Sequence, residues 1–178
     1  MAGGESVILV TGTSSGLGYA IGSALAAKNH RVFATVRTER AAASDGFTTL
    51  PLDVTQDQSV DACIAEIIRV AGRIDAVVNN AGFGIAGAIE DTSISEALSQ
   101  FETNFFGTHR VCRAVLPHLR SQRAGIIINL SSLAGRITLP FQGFYPRANA
   151  VQRTFNALRP FLPQAVAESL IRRTYGLK

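Results

Sequence analysis

The sequence predicts an α/β protein in which helices cover both faces of a parallel sheet. Short apolar runs alternate along the chain with longer segments whose apolar residues recur at helical spacing. Strands that are apolar throughout are typical of a parallel sheet buried on both faces. The 178 residues are enough for one domain with a sizeable core, and 47% apolar with 17% charged residues is a globular composition.

The predicted elements follow one another in regular order. A capping-box pattern at Thr55 and Gln58 begins a helix that Gly72 ends, and a second such pattern at Ser93 and Glu96 precedes a long helix. That helix covers residues 98–120, and an earlier one covers residues 19–28. The predicted strands are residues 7–10, 31–36, 48–53 and 74–78, with a fifth that begins at Ile126.

The first strand ends in a glycine-rich turn, and the carboxyl ends of the strands are where such sheets bind ligands. Glycines permit a tight turn and let the backbone approach a pyrophosphate, while the next helix supplies free N–H groups and a positive dipole. Because the turn joins an apolar strand to a helix, a nucleotide site is favoured over a plain structural turn. The cofactor-binding residues predicted here are Thr11, Gly12, Ser14, Ser15, Gly16, Leu17 and Gly18.

Arg37 directly follows the second strand, and no acidic residue stands at that point. An acidic side chain there would bind a ribose 2′-hydroxyl, whereas an arginine favours a 2′-phosphate. Arg37 therefore indicates NADP(H) rather than NAD(H) as the cofactor. The alternative is that Arg37 is a solvated surface charge.

The third and fourth strands also end in chemically distinctive residues. Asp53 offers an acceptor for an adenine amino group, or else it caps the turn before Thr55. Asparagine side chains can bridge strand ends, and a glycine lets the backbone pass the cofactor. An Asn-Asn-Ala-Gly string alone is also compatible with a plain loop, but distinctive strings at four successive strand ends favour one shared site. The further cofactor-binding residues predicted here are Asp53, Val54, Asn80, Ala81 and Gly82.

Two hydroxyl residues after the fifth strand are spaced for carbonyl chemistry. Ser132 precedes Tyr145 by thirteen residues, a spacing that can place both hydroxyls around one carbonyl oxygen. Tyr145 would then act as a general acid/base. Because the reference pKa of tyrosine is about 10, Tyr145 needs a nearby cation to lose its proton at neutral pH.

Together these strings resemble the classical short-chain dehydrogenase/reductase family, in its order and spacing. The resemblance implies a Rossmann-like, doubly wound sheet that binds NAD(P)(H) and transfers hydride between nicotinamide and a carbonyl or alcohol. It implies that Ser132 polarises the substrate oxygen, that Tyr145 exchanges the proton, and that Asn104 holds a water of the proton relay. Without the resemblance, Asn104 is a polar residue that bends the long helix. The matching strings are Thr11 to Gly18, Asp53, Asn79 to Gly82, Asn104, Ser132 and Tyr145.

The chain departs from the family just after Tyr145. Where the family has Tyr-x-x-x-Lys, this chain has Asn149, a predicted cofactor-binding residue. A neutral amide replaces some hydrogen bonding to the nicotinamide ribose but not the positive charge. Arg147 and Arg153 do not lie four residues from Tyr145, so neither is expected to face it from one helix.

The last 33 residues also differ in composition from the rest. Residues 1–145 hold 11 basic and 12 acidic residues and residues 146–178 hold 6 and 1, so the net charge of +4 comes from the tail. We expect a nucleotide-binding domain over residues 1–145, with its sheet incomplete at the C-terminal side, and an atypical basic tail over residues 146–178. A reading-frame shift just after the Tyr145 codon would explain both the lost lysine and the new composition. The alternative is a genuine short paralogue with a divergent end.

Other classes of site are not indicated by the sequence. His30, His109 and His118 do not cluster with acidic or thiol ligands, so no metal is expected. The nearly neutral body argues against a nucleic-acid partner. The absence of a basic leader and of a long apolar run predicts a cytoplasmic protein with no membrane partner. Cys63 and Cys112 are expected to be buried thiols, and the family resemblance suggests a homo-oligomer through the helix over residues 98–120.

The predicted function is NAD(P)(H)-dependent oxidoreduction of a small apolar carbonyl or alcohol. The alternative is a catalytically impaired, nucleotide-binding relic of such an enzyme. A methyltransferase with a similar open sheet is a remote third hypothesis, because it would not account for Arg37 or for the spacing of Ser132 and Tyr145.

Overall fold

The computed structural model describes residues 4–37, 46–86 and 89–132. The chain divides into two compact units between Ser131 and Ser132, and the sheet belongs to the first unit. Its five strands are all parallel to their neighbours, in the order β3-β2-β1-β4-β5. The strands are β1 (Val7–Val10), β2 (Arg31–Val36), β3 (Thr48–Pro51), β4 (Ala76–Asn79) and β5 (Ile126–Asn129).

The strand order reverses direction at β1, as in a doubly wound sheet. β2 and β3 extend the sheet to one side of β1, and β4 and β5 extend it to the other. This arrangement confirms the predicted α/β, Rossmann-like fold. The predicted incompleteness at the C-terminal side falls on residues outside the described ones.

Helices connect the strands, and the long helix predicted over residues 98–120 is interrupted. A π-helical segment, Glu102–Gly107, separates two α-helices, so the prediction of one continuous helix was wrong. At the end of this segment the backbone approaches the loop after β3 so closely that a Cβ on Gly107 would lie 2.6 Å from Val54 Cγ2. The helices are α1 (Gly16–Ala26), α2 (Asp57–Ala71), α3 (Ile94–Phe101) and α4 (Thr108–Gln122), with a 3-10 turn at Ile89–Asp91.

One predicted capping box is present and the other is not. Ser93 Oγ accepts the N–H of Glu96 at 3.2 Å, and the Glu96 carboxylate accepts the N–H of Ser93 at 2.8 Å. The predicted box at Thr55 was wrong, because α2 begins at Asp57 after an N-cap that makes no side-chain cap bond. The Thr55 hydroxyl instead donates to Asp53 Oδ1 at 2.7 Å. The Thr55 hydroxyl, which the capping-box pattern predicted to cap the helix, is therefore hydrogen-bonded to Asp53.

The core consists of two apolar clusters, one on each face of the sheet. Successive residues of β1 point to opposite faces, so Leu9 packs in the larger cluster with α2 and α4, and Val10 packs in the smaller one against α1. Leu9, Phe33 and Ile67 are fully buried. Burial of such side chains stabilises the fold by roughly 1.5–3 kcal/mol each, and it fixes the strand ends that carry the site.

The described part of the chain has neither a membrane-spanning helix nor a candidate metal site. No helix in that part of the chain is long and apolar enough to cross a membrane. Residues 4–37, 46–86 and 89–132 contain no group of three or more His, Cys, Asp or Glu side chains placed to hold a metal ion.

Candidate cofactor-binding site

A cleft of about 670 Å³ lies at the carboxyl ends of β1, β2 and β4. The loop after β3 and one face of the helical region after β4 complete its walls. Most of the cofactor-binding residues predicted from the sequence meet here. Those that line the cleft are Gly12, Ser14, Ser15, Leu17, Gly18, Arg37, Asp53, Val54, Asn80, Ala81 and Gly82.

The glycines of the turn after β1 differ in what they do. Gly12 has φ +71°, and a Cβ there would lie 2.8 Å from the Cα of Ala81. At Gly18 a Cβ would lie 2.2 Å from the carbonyl oxygen of Gly12 and 2.3 Å from Asn80 Nδ2. Gly16 has φ +61° but open space around the Cβ position. Gly12 and Gly18 therefore permit close packing between loops, whereas Gly16 permits the left-handed turn.

Thr11 and Asn80 lock the turn after β1 to the loop after β4. Thr11 Oγ1 accepts the N–H groups of Asn80 at 3.0 Å and Ala81 at 2.9 Å. The Asn80 side-chain amide donates to the carbonyls of Thr11 and Gly12, both at 2.9 Å. Thr11 is buried and lies behind the cleft rather than on its wall, so its contacts position the loops.

Two threonines that the sequence argument missed complete this lock. The N–H of Gly12 donates to Thr35 Oγ1 at 3.3 Å, and both the N–H and the hydroxyl of Thr13 donate to the Thr35 carbonyl, at 2.9 and 3.1 Å. Thr13 and Thr35 are both buried. The available signal was a threonine inside the otherwise apolar end of β2, since a buried hydroxyl requires a hydrogen-bond partner.

Arg37 and Asp53 lie on the cleft wall formed by β2 and the loop after β3. Arg37 is exposed at the end of β2. Asp53 Oδ1 accepts both the N–H of Thr55 at 2.9 Å and its hydroxyl, and the N–H of Asp53 donates to Ser59 Oγ at 2.9 Å. Asp53 thus caps the turn before Thr55, as the alternative interpretation expected, while it also lines the cleft.

Asn104, in the π-helical segment, holds the loop that follows Gly82. Its Oδ1 accepts the N–H of Phe83 at 3.0 Å, and its Nδ2 donates to the Phe83 carbonyl at 2.8 Å. Gln100 is buried and also donates to that carbonyl, at 3.1 Å. Sequence reasoning missed Gln100, although it precedes Asn104 by four residues, a spacing that places two side chains on one helix face. The position of Asn104 inside the π-helical segment agrees with its alternative role at a helix distortion, and the water relay stays a prediction.

Asn79 joins β4 to β5 at the same end of the sheet. Its Nδ2 donates to Asn129 Oδ1 at 2.8 Å and approaches Cys112 Sγ at 3.4 Å. Burial raises the pKa of the Cys112 thiol, and the Asn79 contact acts in the opposite direction. Cys63 is buried as predicted, and burial raises its pKa to about 12. Cys112 is only half-buried, so the prediction for it was partly wrong.

A model of the short chain dehydrogenase family matches residues 6–158, which covers every strand and helix described above. The chain belongs to the short-chain dehydrogenase family. The matched region continues past Tyr145 and Asn149.

Individual relatives are 25–42% identical to this short-chain dehydrogenase over the aligned residues. It is 42% identical over 139 residues to a 3-ketodihydrosphingosine reductase of Bacteroides thetaiotaomicron, covering 78% of this chain and 51% of the relative. It is 36% identical over 172 residues to Retinol dehydrogenase 8 of Homo sapiens, covering 89% and 54%. The solved structure of ElxO with NADP bound matches with a TM-score of 0.74 and 25% identity, covering 88% of this chain and 68% of that one. The chain spans about half the length of the curated relatives it matches.

The residues of the cleft fit a nicotinamide dinucleotide. Helix α1 begins after Ser15 without a side-chain cap and without an acidic residue in its first turn. Its first N–H groups and the positive end of its dipole therefore suit an anion such as a pyrophosphate. A side chain at position 18 would collide with the Gly12 carbonyl and with Asn80, so glycine there lets the turn keep its place in the cleft wall.

Of the three predicted catalytic residues, Asn104 and Ser132 are among the described residues and Tyr145 is not. Ser132 is exposed at the end of the described chain and begins the second unit. Tyr145 and Asn149 lie outside the described residues. The roles of Ser132, Tyr145 and Asn149 therefore stay predictions from the sequence.

Proposed function

We propose that this chain is an NAD(P)(H)-dependent oxidoreductase that transfers hydride between a nicotinamide and a carbonyl or alcohol. The observation that carries the proposal is the uncapped N-terminus of α1, which opens from a glycine turn onto a cleft of about 670 Å³. Membership of the short-chain dehydrogenase family supports the same reaction class. When bound, the cofactor would supply the hydride, and the residues of the cleft would hold its phosphates and ribose.

NADP(H) is the preferred cofactor in this proposal. Arg37 follows β2 directly and lines the cleft, where a guanidinium pairs well with a 2′-phosphate. Asp53 lines the cleft too, but its Oδ1 already accepts two hydrogen bonds from Thr55. The NADP in the ElxO structure is further support from a structural relative.

Titration of NADPH and NADH tests this preference. We expect Arg37→Ala to weaken NADPH binding by about tenfold or more, because a charge-assisted contact contributes roughly 1.5–3 kcal/mol, and to leave NADH binding unchanged. Arg113→Ala is the matched control, since Arg113 is exposed on α4 and outside the cleft. Equal affinities for both cofactors, unchanged by Arg37→Ala, would rule the preference out.

An apolar carbonyl or alcohol is the proposed substrate class. Two relatives are named for a 3-ketodihydrosphingosine and a retinol. In this chain Phe83 lines the cleft with its side chain 42% exposed. An apolar ring at the wall favours an apolar substrate.

Catalysis by Ser132 and Tyr145 is expected to be weak in this chain. At position 149 this chain has a neutral amide where the family has a lysine, so it lacks there the positive charge that would favour loss of the Tyr145 proton. We expect Asn149→Lys to raise turnover of apolar ketones with NADPH without restoring full activity. The substitution restores a charge but does not by itself align the reacting groups, and their misplacement can lower the rate on the order of a hundredfold. Normal turnover by the unmodified chain would contradict this, whereas nucleotide binding without any turnover in either protein would favour the alternative of an impaired relic.

A homo-oligomer through the helical region over residues 98–120 is also proposed. Leu98, Phe105, Phe106 and Leu116 are exposed there, and Ile94, at the start of α3, is exposed just before this region. A surface of this kind is typical of a protein interface. Sedimentation of the unmodified chain and of Phe105→Ser measures it, and a monomer in both samples would contradict the proposal.

A further inference from the structure

Arg110, in the first turn of α4, contacts three separate parts of the fold. Its Nε lies 2.8 Å from Asp57 Oδ1 at the start of α2. Its Nη2 pairs with Glu102 at the start of the π-helical segment, and its Nη1 approaches the carbonyl oxygen of Val54 at 3.5 Å. Each guanidinium nitrogen thus serves a different element, and only 22% of the side chain is exposed.

Val54 therefore contacts two positions of the same helical region, Gly107 and Arg110. Gly107 packs so closely on the Val54 side chain that a Cβ there would come within 2.6 Å of Val54 Cγ2, while Arg110 contacts the Val54 carbonyl. Val54 is buried at 6% exposure, yet it belongs to the wall of the cleft. The position of that wall depends on contacts that lie outside the cleft.

Asp57 and Glu102 are 61% and 41% exposed, but Arg110 is mostly buried and differs from an ordinary surface ion pair in having three partners at once. An exposed pair contributes at most about 1 kcal/mol and leaves both side chains free to move. A planar guanidinium with three partners fixes their relative orientation, which a flexible ammonium group cannot do. Glu102 also begins the segment that carries Thr103 on the cleft wall and Asn104 on the Phe83 loop.

We propose that Arg110 is a positioning residue for the nucleotide: it aligns the Val54 side of the cleft with the π-helical segment on the other side. The proposal rests on the proposed function, because it assumes that a dinucleotide occupies the cleft. Arg110 does not line the cleft, so its effect on affinity acts through Val54 and Glu102.

Binding of NADPH and of 2′,5′-ADP, which carries only the adenosine half, tests the role of Arg110. We expect Arg110→Met to weaken both ligands by about tenfold, because Val54 and the π-helical segment lose the side chain that joins them, and Arg110→Lys to fall between it and the unmodified chain. Arg113→Met, on the exposed side of α4, should change neither affinity. Val115→Ala removes a fully buried side chain of the same helix, and it should lower the unfolding temperature without weakening either ligand.

Amide hydrogen exchange of residues 53–57 in the ligand-free protein is the second measurement. We expect faster exchange in this loop for Arg110→Met than for Val115→Ala, although Val115→Ala lowers overall stability. Identical loop exchange and identical affinities in these two variants would overturn the proposal. If the unmodified chain binds neither ligand, the proposed function fails and the nucleotide role of Arg110 fails with it. If the unmodified chain binds both ligands and Arg110→Met binds them equally well, only the role of Arg110 fails.

Discussion

The two ends of the same sheet use similar hydrogen bonds for different purposes. At the amino ends of the strands, Asp75 Oδ2 accepts the N–H of Val7 at 2.8 Å, and the Gln122 side chain bonds both the N–H and the carbonyl of Ile74, at 3.2 and 2.8 Å. At the carboxyl ends, Thr11 and Asn80 make equivalent side-chain bonds to the backbone. The cleft of about 670 Å³ borders the second set only.

The difference between the ends comes from glycine and from helix direction. In a parallel sheet, helices begin at the carboxyl ends of the strands, so free N–H groups collect there. A side chain at position 12 or 18 would collide with the neighbouring loop. Glycine at both positions therefore lets the turn pack closely there and keeps these N–H groups near the cleft. Polar bonds at the amino end stabilise the fold, whereas those at the carboxyl end also shape a binding surface.

Gly18→Ala should give the largest difference between the two ends. Its Cβ would lie 2.2 Å from the Gly12 carbonyl oxygen, so the turn must move, at a cost of roughly 1–3 kcal/mol in stability. We expect NADPH binding to be lost within the range of a titration. Gly16→Ala is the matched control, since it has a left-handed φ but no atom within 4 Å of the new Cβ. Because Gly18 has no left-handed φ, a loss of binding in Gly16→Ala as strong as that in Gly18→Ala would contradict a special role for the close contacts of Gly18.

Thr11→Val tests the lock at the carboxyl ends with little change in volume. It leaves the N–H groups of Asn80 and Ala81 without their acceptor, which should cost roughly 1–3 kcal/mol of unfolding free energy and weaken NADPH binding. Thr13→Val should cost less, because the Thr35 carbonyl still accepts the backbone N–H of residue 13. Urea unfolding and cofactor titration of both variants measure the two effects. Unaltered binding in a destabilised Thr11→Val would contradict a role in shaping the cleft.

Gln122→Leu is the corresponding change at the amino ends. It removes both side-chain bonds to the backbone of Ile74, so we expect a loss of roughly 1–2 kcal/mol in urea unfolding. NADPH affinity should not change, because Gln122 lies away from the cleft. A loss of affinity comparable to that of Thr11→Val would break the proposed distinction between the two ends.

The strands were predictable because the apolar runs are short and bounded by clear turns. β1 and β2 have the predicted bounds, whereas the fourth strand begins at Ala76 instead of Ile74. Ile74 has an apolar side chain that suits either conformation, and pairing with β1 decides the boundary at Ala76. Local pattern thus identifies an element, and tertiary pairing sets its ends.

The site residues that were not predicted from the sequence depend on long-range contacts. Arg110 and Gln100 look like ordinary helix residues, and their partners lie 56 residues away at Val54 and 17 residues away at Phe83. The π-helical segment was missed for a similar reason, because helical periodicity does not show the close contact of Gly107 with Val54. The glycine turn was visible because its chemistry is contained in eight consecutive residues, Thr11 to Gly18.

The smallest expected effect concerns the thiols and appears only at alkaline pH. Burial raises the pKa of Cys63 from 9.0 to about 12 in the folded chain, so the folded state favours the neutral thiol. Its contribution is therefore complete below pH 9 and is lost as pH rises toward 12, by roughly 1.4 kcal/mol at pH 10.

Urea unfolding at pH 7 and pH 10 measures this loss in the unmodified chain and in Cys63→Ala. The variant should lose less stability between the two pH values, because it has no thiol to ionise, although it starts from a lower stability after loss of a buried side chain. Cys112→Ala is the matched control at the carboxyl end of the sheet, where the Asn79 contact opposes the effect of burial on the thiol pKa. Its pH dependence should stay closer to that of the unmodified chain. An identical pH dependence in Cys63→Ala and the unmodified chain would show that Cys63 titrates alike in the folded and unfolded states, and would contradict the effect of burial on its pKa.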